Sequence, residues 1–263
     1  MSYIIQTTGG GLFSLFHITL EEFIDKHYNN ILNINDIVEF KIIICANHIF
    51  NNKHLFDDIF TYNNLNKFEH LQSTSCTRWF TNINKKPELL VLLKTLVHKN
   101  KLNDEIITKV NEYVSNFGIT ENTLAVHIRL TDMNVIHPEY GVFTLDAYIN
   151  KINEMINIHT NINNIYIASD NTESINKLKE YYKNIIKITY IEYKENDIRS
   201  LYENVNPSFE IVRLNYFNTG KYHIQTMIEM LVLSKCSYFI HRVSDFANFA
   251  IIYSDTFKVI ESL

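Results

Sequence analysis

An apolar run that stops abruptly at basic and acidic side chains is the stretch most suggestive of chemistry: Leu124-Ala125-Val126-His127-Ile128-Arg129-Leu130-Thr131-Asp132. Its β-branched residues and alternating side chains predict a buried strand, and open α/β sheets bind ligands at the carboxyl ends of such strands. Arg129 offers a planar fork that can hold two phosphate oxygens at once. On spacing alone, one reading is a grip on the diphosphate of a nucleotide. The other is a strand end at which Arg129 and Asp132 pair with each other.

Other places could also do chemistry. Gly9-Gly10-Gly11 holds three of the six glycines in the chain. It follows a β-rich segment, Tyr3 to Thr8, and precedes apolar residues at helical spacing from Leu12 to Phe23. Free amides at such a helix start bind phosphate or sugar hydroxyls; a tight turn with no ligand is the alternative. The buried-type strand Asn164 to Ala168 runs into Ser169-Asp170-Asn171, and Ser244 and Asp245 sit at the amino end of a helix, where a cap or a phosphate belongs. Arg78 beside Trp79 reads as a cation stacked on a surface aromatic before it reads as a substrate contact.

The chain totals exclude several classes. A net charge of −5 and the lack of a dense basic run argue against a nucleic-acid surface. Cys45, Cys76 and Cys236 are odd in number and far apart, so neither a disulfide framework nor a zinc site is signalled. A reducing compartment follows as the default. No apolar stretch reaches the ~18 residues of a membrane span, and Met-Ser-Tyr-Ile-Ile-Gln lacks the features of a signal peptide. The expectation is a soluble, cytoplasmic protein without a transmembrane segment.

Elements must position these residues. After the first strand and helix, Ile37 to Ala46 predicts a second strand, Leu55, Phe56, Ile59 and Phe60 a short amphipathic helix, and residues 73 to 80 a loop or edge. Pro87 suits the first turn of a helix over Glu88 to His98, and a helix over Asp104 to Phe117 ends at Gly118. The polar step from Gly118 to Asn122 predicts a boundary, giving domains 1–120 and 121–263. Beyond it come a helix over Leu145 to Ile158 capped by Thr144 or Asp146, and the strand at Asn164. A helix over Thr172 to Tyr182 follows, with Ser174 and the Lys177 to Lys179 turn outward, and then a strand over Ile185 to Tyr193. Lys194 to Phe217 reads as a long loop. A helix over Lys221 to Lys235 buries Ile224, Met227, Ile228, Leu231 and Val232 and places Glu229 off that face. Tyr238 to His241 is a strand, Phe246 to Tyr253 a helix, and Val259-Ile260 a last strand. Strands alternating with helices imply α/β architecture with a parallel sheet and right-handed crossovers.

His127-Ile128-Arg129-Leu130-Thr131-Asp132 resembles the H-x-R-R-[GT]-D motif of the fucosyltransferase superfamily, which includes the α1,2-, α1,6- and protein O-fucosyltransferases. Further stretches fall in the order of that family: the glycine turn Thr8 to Phe13, the strand end Ile165 to Asn171, and Met227 to Ser234 followed by Tyr238-Phe239-Ile240 and Ser244. The resemblance implies a GT-B-like fold, with two Rossmann-like parallel-sheet domains facing across a cleft. It also implies an inverting, metal-independent glycosyltransferase without a cofactor, using GDP-fucose or a related nucleotide sugar as donor and a glycan or protein as acceptor. By the same resemblance Arg129 contacts the β-phosphate, and His127 and Glu229 lie at the nucleoside. Asp170, Ser244 and Asp245 line the donor pocket, and Gly10 and Gly11 face the diphosphate or the sugar.

The chemistry of the residues agrees. Negative charge builds on a departing diphosphate and is met either by a cation held in a D-x-D pair or by fixed donors such as Arg. The chain contains no D-x-D, so the cation route is disfavoured. An acidic group facing guanine would select the base, and Glu229 could play that part. The candidates for acceptor base are Asp132, Asp58 and Glu139. The chain departs from the pattern at Leu130, where the motif has its second Arg, and at Glu229, where many relatives have Asp. Its amino-terminal turn also lacks the Asn-Gln pair seen in several relatives, and it carries Asp245 where a small neutral residue is common. These departures leave open a UDP- or dTDP-deoxysugar donor, or an inactive sugar-nucleotide or glycan-binding protein. A neighbour on a strand points to the opposite face, so the change at Leu130 bears on fold support more than on chemistry.

Overall fold

The structure, a computed structural model, describes residues 2–7, 39–44, 60–61, 68–72, 87–98, 101–130, 143–192 and 220–263. Its elements are β1 (Ser2–Thr7), β2 (Glu39–Ile44), β3 (Phe60–Thr61), β4 (Phe68–Gln72), α1 (Pro87–Val97), β5 (Lys101–Leu102), α2 (Asp104–Phe117) and β6 (Thr123–Ile128). They continue with α3 (Leu145–Ile158), β7 (Asn164–Ser169), α4 (Thr172–Tyr182), β8 (Lys187–Thr189), α5 (Gly220–Leu233), β9 (Tyr238–His241), α6 (Asp245–Tyr253) and β10 (Val259–Ser262). The chain forms two compact units. One comprises Met1–Thr108, Phe217–Met227 and Ser244–Tyr253; the other comprises Lys109–Tyr216, Ile228–Val243 and Ser254–Leu263.

In the first unit β1 lies between β2 and β4, parallel to both, with Ser2 opposite Glu39 on one side and Phe68 on the other. A separate antiparallel pair joins β3 to β5. The helix α1 buries Leu93, Leu96 and Val97 and packs against α6, whose residues Phe246 to Ile252 are all buried. The ring of His98 lies 4.8 Å from that of Tyr253.

The second unit is built on a five-stranded, all-parallel sheet in the order β10-β9-β6-β7-β8. Every residue of β6 and β7 is buried, as expected of parallel strands covered on both faces. On one face Leu124, Val126, Ile128, Ile165, Ile167 and Ile240 form the core with Tyr148, Ile152 and Met155 of α3 and Ile175, Leu178 and Tyr182 of α4. Register and alternation put Ala125, Tyr166 and Phe239 on the other face. There the Tyr166 hydroxyl donates to the Glu229 carbonyl of α5 at 3.3 Å. Gly118 closes α2 with φ +67°. Its N–H donates to the Ser115 carbonyl, and the Ile119 N–H donates to that of Val114, the paired bonds of a Schellman motif.

Several expectations are corrected. Phe60 belongs to a strand and not to an amphipathic helix, and β4 and β5 have no counterpart in the sequence reading. Ser174 and Leu178 are buried instead of outward; Ser174 lies in the first turn of α4, where its N–H donates to the Asn171 side chain at 2.7 Å. Ile185 and Ile186 still belong to a turn, their N–H groups donating to the Tyr182 carbonyl, so β8 is shorter than the alternation suggested. Glu229 does not lie off the buried face: α5 is buried on all sides from Met227 onward, and Glu229 is 8% exposed. The glycine turn with its helix, residues 51–59 and 73–80, and the long loop from Lys194 lie outside the described residues. Among the described residues, no helix is long and apolar enough to cross a membrane.

Candidate functional site

Within the second unit, β6 is followed by β7, whereas β9 is reached only after β8 and lies on the other side of β6. The strand order reverses between β6 and β9. Helices leaving the two sides of such a reversal cover opposite faces, which opens a crevice outside the carboxyl ends of the strands. In register, His127 of β6 stands opposite His241 of β9, and Ile128 stands opposite Ser169 of β7.

His127, Arg129 and Asp170 gather at that end. His127 is buried at 5% exposure, two positions beyond Ala125 and on the same face. Arg129 follows β6 directly and is half-buried, as is Asp170, the first residue after β7. The turn that carries Asp170 is held locally. The Asn171 N–H donates to the Ser169 hydroxyl at 3.1 Å, and the Asn171 side chain caps α4. Asp170 itself is therefore not the cap. Glu229 is buried on α5, and its carbonyl is tied to Tyr166.

The remaining predictions lie just past the carboxyl end of β9 or outside the described residues. Ser244 and Asp245 belong to the first unit. The Ser244 hydroxyl accepts from the Ala247 N–H at 3.2 Å, and its carbonyl accepts from Asn248 at 2.9 Å, so this side chain caps α6. Asp245 occupies the first turn, where its charge suits the helix dipole. Gly10, Gly11, Asp58, Asp132 and Glu139 lie outside the described residues.

Sequence reasoning missed Tyr148, His241 and Arg242. The signal was present, because Tyr238-Phe239-Ile240-His241-Arg242 repeats the pattern of an apolar run ending in basic residues. Arg242 is among the largest fully buried side chains, its guanidinium 4.6 Å from the centre of the Phe143 ring. Phe143 packs against the core cluster of α3 and α4, and Leu130 packs against the same cluster. A buried guanidinium thus lies on the sheet face that Leu130 leaves apolar.

Burial pushes the Tyr148 phenol pKa far up, so the group stays protonated. The Arg129 backbone N–H opposes that shift, the Asp170 carboxylate reinforces it and Arg242 opposes it. Tyr148 thus lies within electrostatic reach of the termini of β6, β7 and β9. Burial also lowers His241 to a pKa of about 4, against a smaller opposing effect of the Arg242 backbone. The Cys236 thiol, fully buried, is pushed up and held unreactive. Among the described residues, no group of three or more His, Cys, Asp or Glu side chains is placed to hold a metal ion. The arrangement gathers guanidinium and imidazole groups, whose chemistry suits an anionic, hydrogen-bonding ligand.

No protein-family model matches the chain, and no curated protein matches it in sequence. Solved structures do. The fucosyltransferase NodZ from Bradyrhizobium is similar with a TM-score of 0.53 at 10% identity, over 97% of this chain and 94% of that one. NodZ α1,6-fucosyltransferase co-crystallised with GDP and the same enzyme soaked with GDP-fucose each give 0.52 at 10% identity, over 97% of this chain and 93% of theirs. At this identity the likeness establishes the fold: the chain shares the α/β, parallel-sheet fold of these structures.

Proposed function

We propose that the chain is a fucosyltransferase-like glycosyltransferase that moves a sugar, most readily fucose, from a GDP-linked donor to a hydroxyl of a glycan or protein. The observation that carries this reading is the convergence of His127, Arg129 and Asp170 on the reversal point of the parallel sheet. Its support is a fold shared with enzymes crystallised with GDP and GDP-fucose. In this reading the chain is GT-B-like, and the unit built on β6, β7 and β9 holds the nucleotide.

The acceptor oxygen attacks the anomeric carbon from the side opposite the diphosphate, the carbon–oxygen bond to GDP breaks, and the configuration inverts. Charge accumulating on GDP is met by Arg129 without a metal ion, because a guanidinium fork stabilises the departing oxygens where they form. His127 and Glu229 hold the nucleoside, and Asp170, Ser244 and Asp245 line the donor pocket with Gly10 and Gly11. The acceptor base is one of Asp132, Asp58 and Glu139.

Thermal denaturation with GDP, UDP and dTDP, followed by GDP-fucose hydrolysis and transfer assays, tests this. GDP at a hundred times its Kd should stabilise the protein by about 2.7 kcal/mol. Stabilisation by UDP or dTDP and none by GDP would move the donor to another deoxysugar nucleotide. Nucleotide binding without hydrolysis or transfer would make the chain a binding protein.

A further inference from the structure

The roles above leave His241 unused, although it stands at the same reversal point. It ends β9 opposite His127 in register, is 1% exposed, and lies on the face of Ala125 and His127. Its ring stacks on Phe239 at 4.9 Å and 22°, and Phe239 stacks in turn on Phe257 at 4.8 Å and 9°. A column of rings therefore fixes the imidazole plane. Among the described residues neither ring nitrogen has a hydrogen-bond partner, the Arg242 backbone exerting only a weak influence. Leaving two buried polar atoms unsatisfied lowers stability, and a phenylalanine would stack equally well without that cost. What the histidine adds at this position is its pair of nitrogens.

We infer that His241 hydrogen-bonds the nucleoside of the donor, at a ribose hydroxyl or the base edge, an assignment that rests on reading the second unit as the donor site. The chemistry selects the nucleoside over the diphosphate. A neutral imidazole presents one N–H donor and one acceptor, which matches hydroxyls and base edges that also donate and accept. A diphosphate offers only acceptors and calls for cations, which Arg129 provides. Burial keeps His241 neutral near pH 7, consistent with that division of labour. The ring nitrogens are shielded from water, so the assignment requires a neighbouring side chain to move when the nucleoside binds and supplies the bonds they lack.

The variant His241→Phe keeps the ring column and removes the nitrogens. Calorimetric titration of the full chain with GDP and with inorganic pyrophosphate should show GDP binding about tenfold weaker in the variant, the loss of roughly one hydrogen bond. Pyrophosphate binding should not change, and the thermal midpoint without nucleotide should equal or exceed that of the parent. His241→Gln, which restores a donor and an acceptor, should recover part of the GDP affinity. Should His241→Phe fail to fold, nitrogen-15 spectra of the parent imidazoles replace it, with GDP expected to shift the His241 ring signals. Equal GDP affinity in parent and variant, an equal loss for pyrophosphate, or unshifted ring signals would overturn the role of His241 alone. A parent protein that binds none of GDP, UDP or dTDP would overturn the donor-site reading and this assignment together.

Discussion

Mild acid should destabilise the fold through His241, and the size of the effect follows from its burial. Its pKa drops from 6.5 to about 4 in the folded chain because the 1%-exposed ring cannot be hydrated when charged. Between these values the unfolded chain binds a proton that the folded chain refuses, so unfolding takes up protons and acid promotes it. The contribution is fully present above pH 6.5 and shrinks as the pH falls, levelling off near pH 4, where the folded ring also protonates. At pH 5 the loss relative to pH 8 comes to about 2 kcal/mol. Urea unfolding at both pH values, extrapolated linearly to water, gives the two stabilities. Other groups titrate in this range, so the comparison is made against His241→Phe, which lacks only this proton. Parent and variant should differ in acid sensitivity by roughly that 2 kcal/mol. Parallel pH profiles would refute the reasoning, since they would mean that the ring is hydrated or charged in the folded protein.

Other outcomes follow from single contacts. If Arg129 faces the departing diphosphate, Arg129→Ala should lower transfer from GDP-fucose by about a hundredfold or more, with the circular dichroism spectrum unchanged; retention of full transfer would remove Arg129 from the mechanism. Gly118→Ala should cost about 1–2 kcal/mol in urea unfolding through left-handed backbone strain. Steric conflict adds little there, because the nearest atom to an added Cβ is the Lys187 Nζ at 3.8 Å. Ser244→Ala should cost about 1 kcal/mol by uncapping α6, and Ser244→Asp should restore most of it.

Much of the fold was legible because local physics decides it. Periodicity and turn chemistry placed α2, α3 and α4 nearly residue for residue, and Gly118 and Thr144 act as the caps their positions suggested. The two-residue strands β3 and β5 were not readable, since a pair of residues carries no period. The polar-aromatic β4 shows too little alternation to announce itself. Glu229 was misjudged because a helical stripe separates inside from outside only when one side is wet, and α5 is covered all round from Met227. His127, Arg129 and Asp170 stood out as polar residues closing apolar strands. His241 and Arg242 close a strand in the same way, but β9 is short and its partner was unknown from the sequence.

The sequence by itself determined most of the helices and the longer strands, and that polar side chains collect at strand ends, because propensity, capping and burial patterns act over a few neighbouring residues. It also carried the motif order behind the functional reading. Only the tertiary structure decided that β9 returns to lie beside β6, bringing His241 opposite His127 and laying Arg242 on the face where Leu130 packs. Such pairings join residues far apart along the chain. They are chosen by the packing of the whole sheet and its covering helices, which no local stretch encodes.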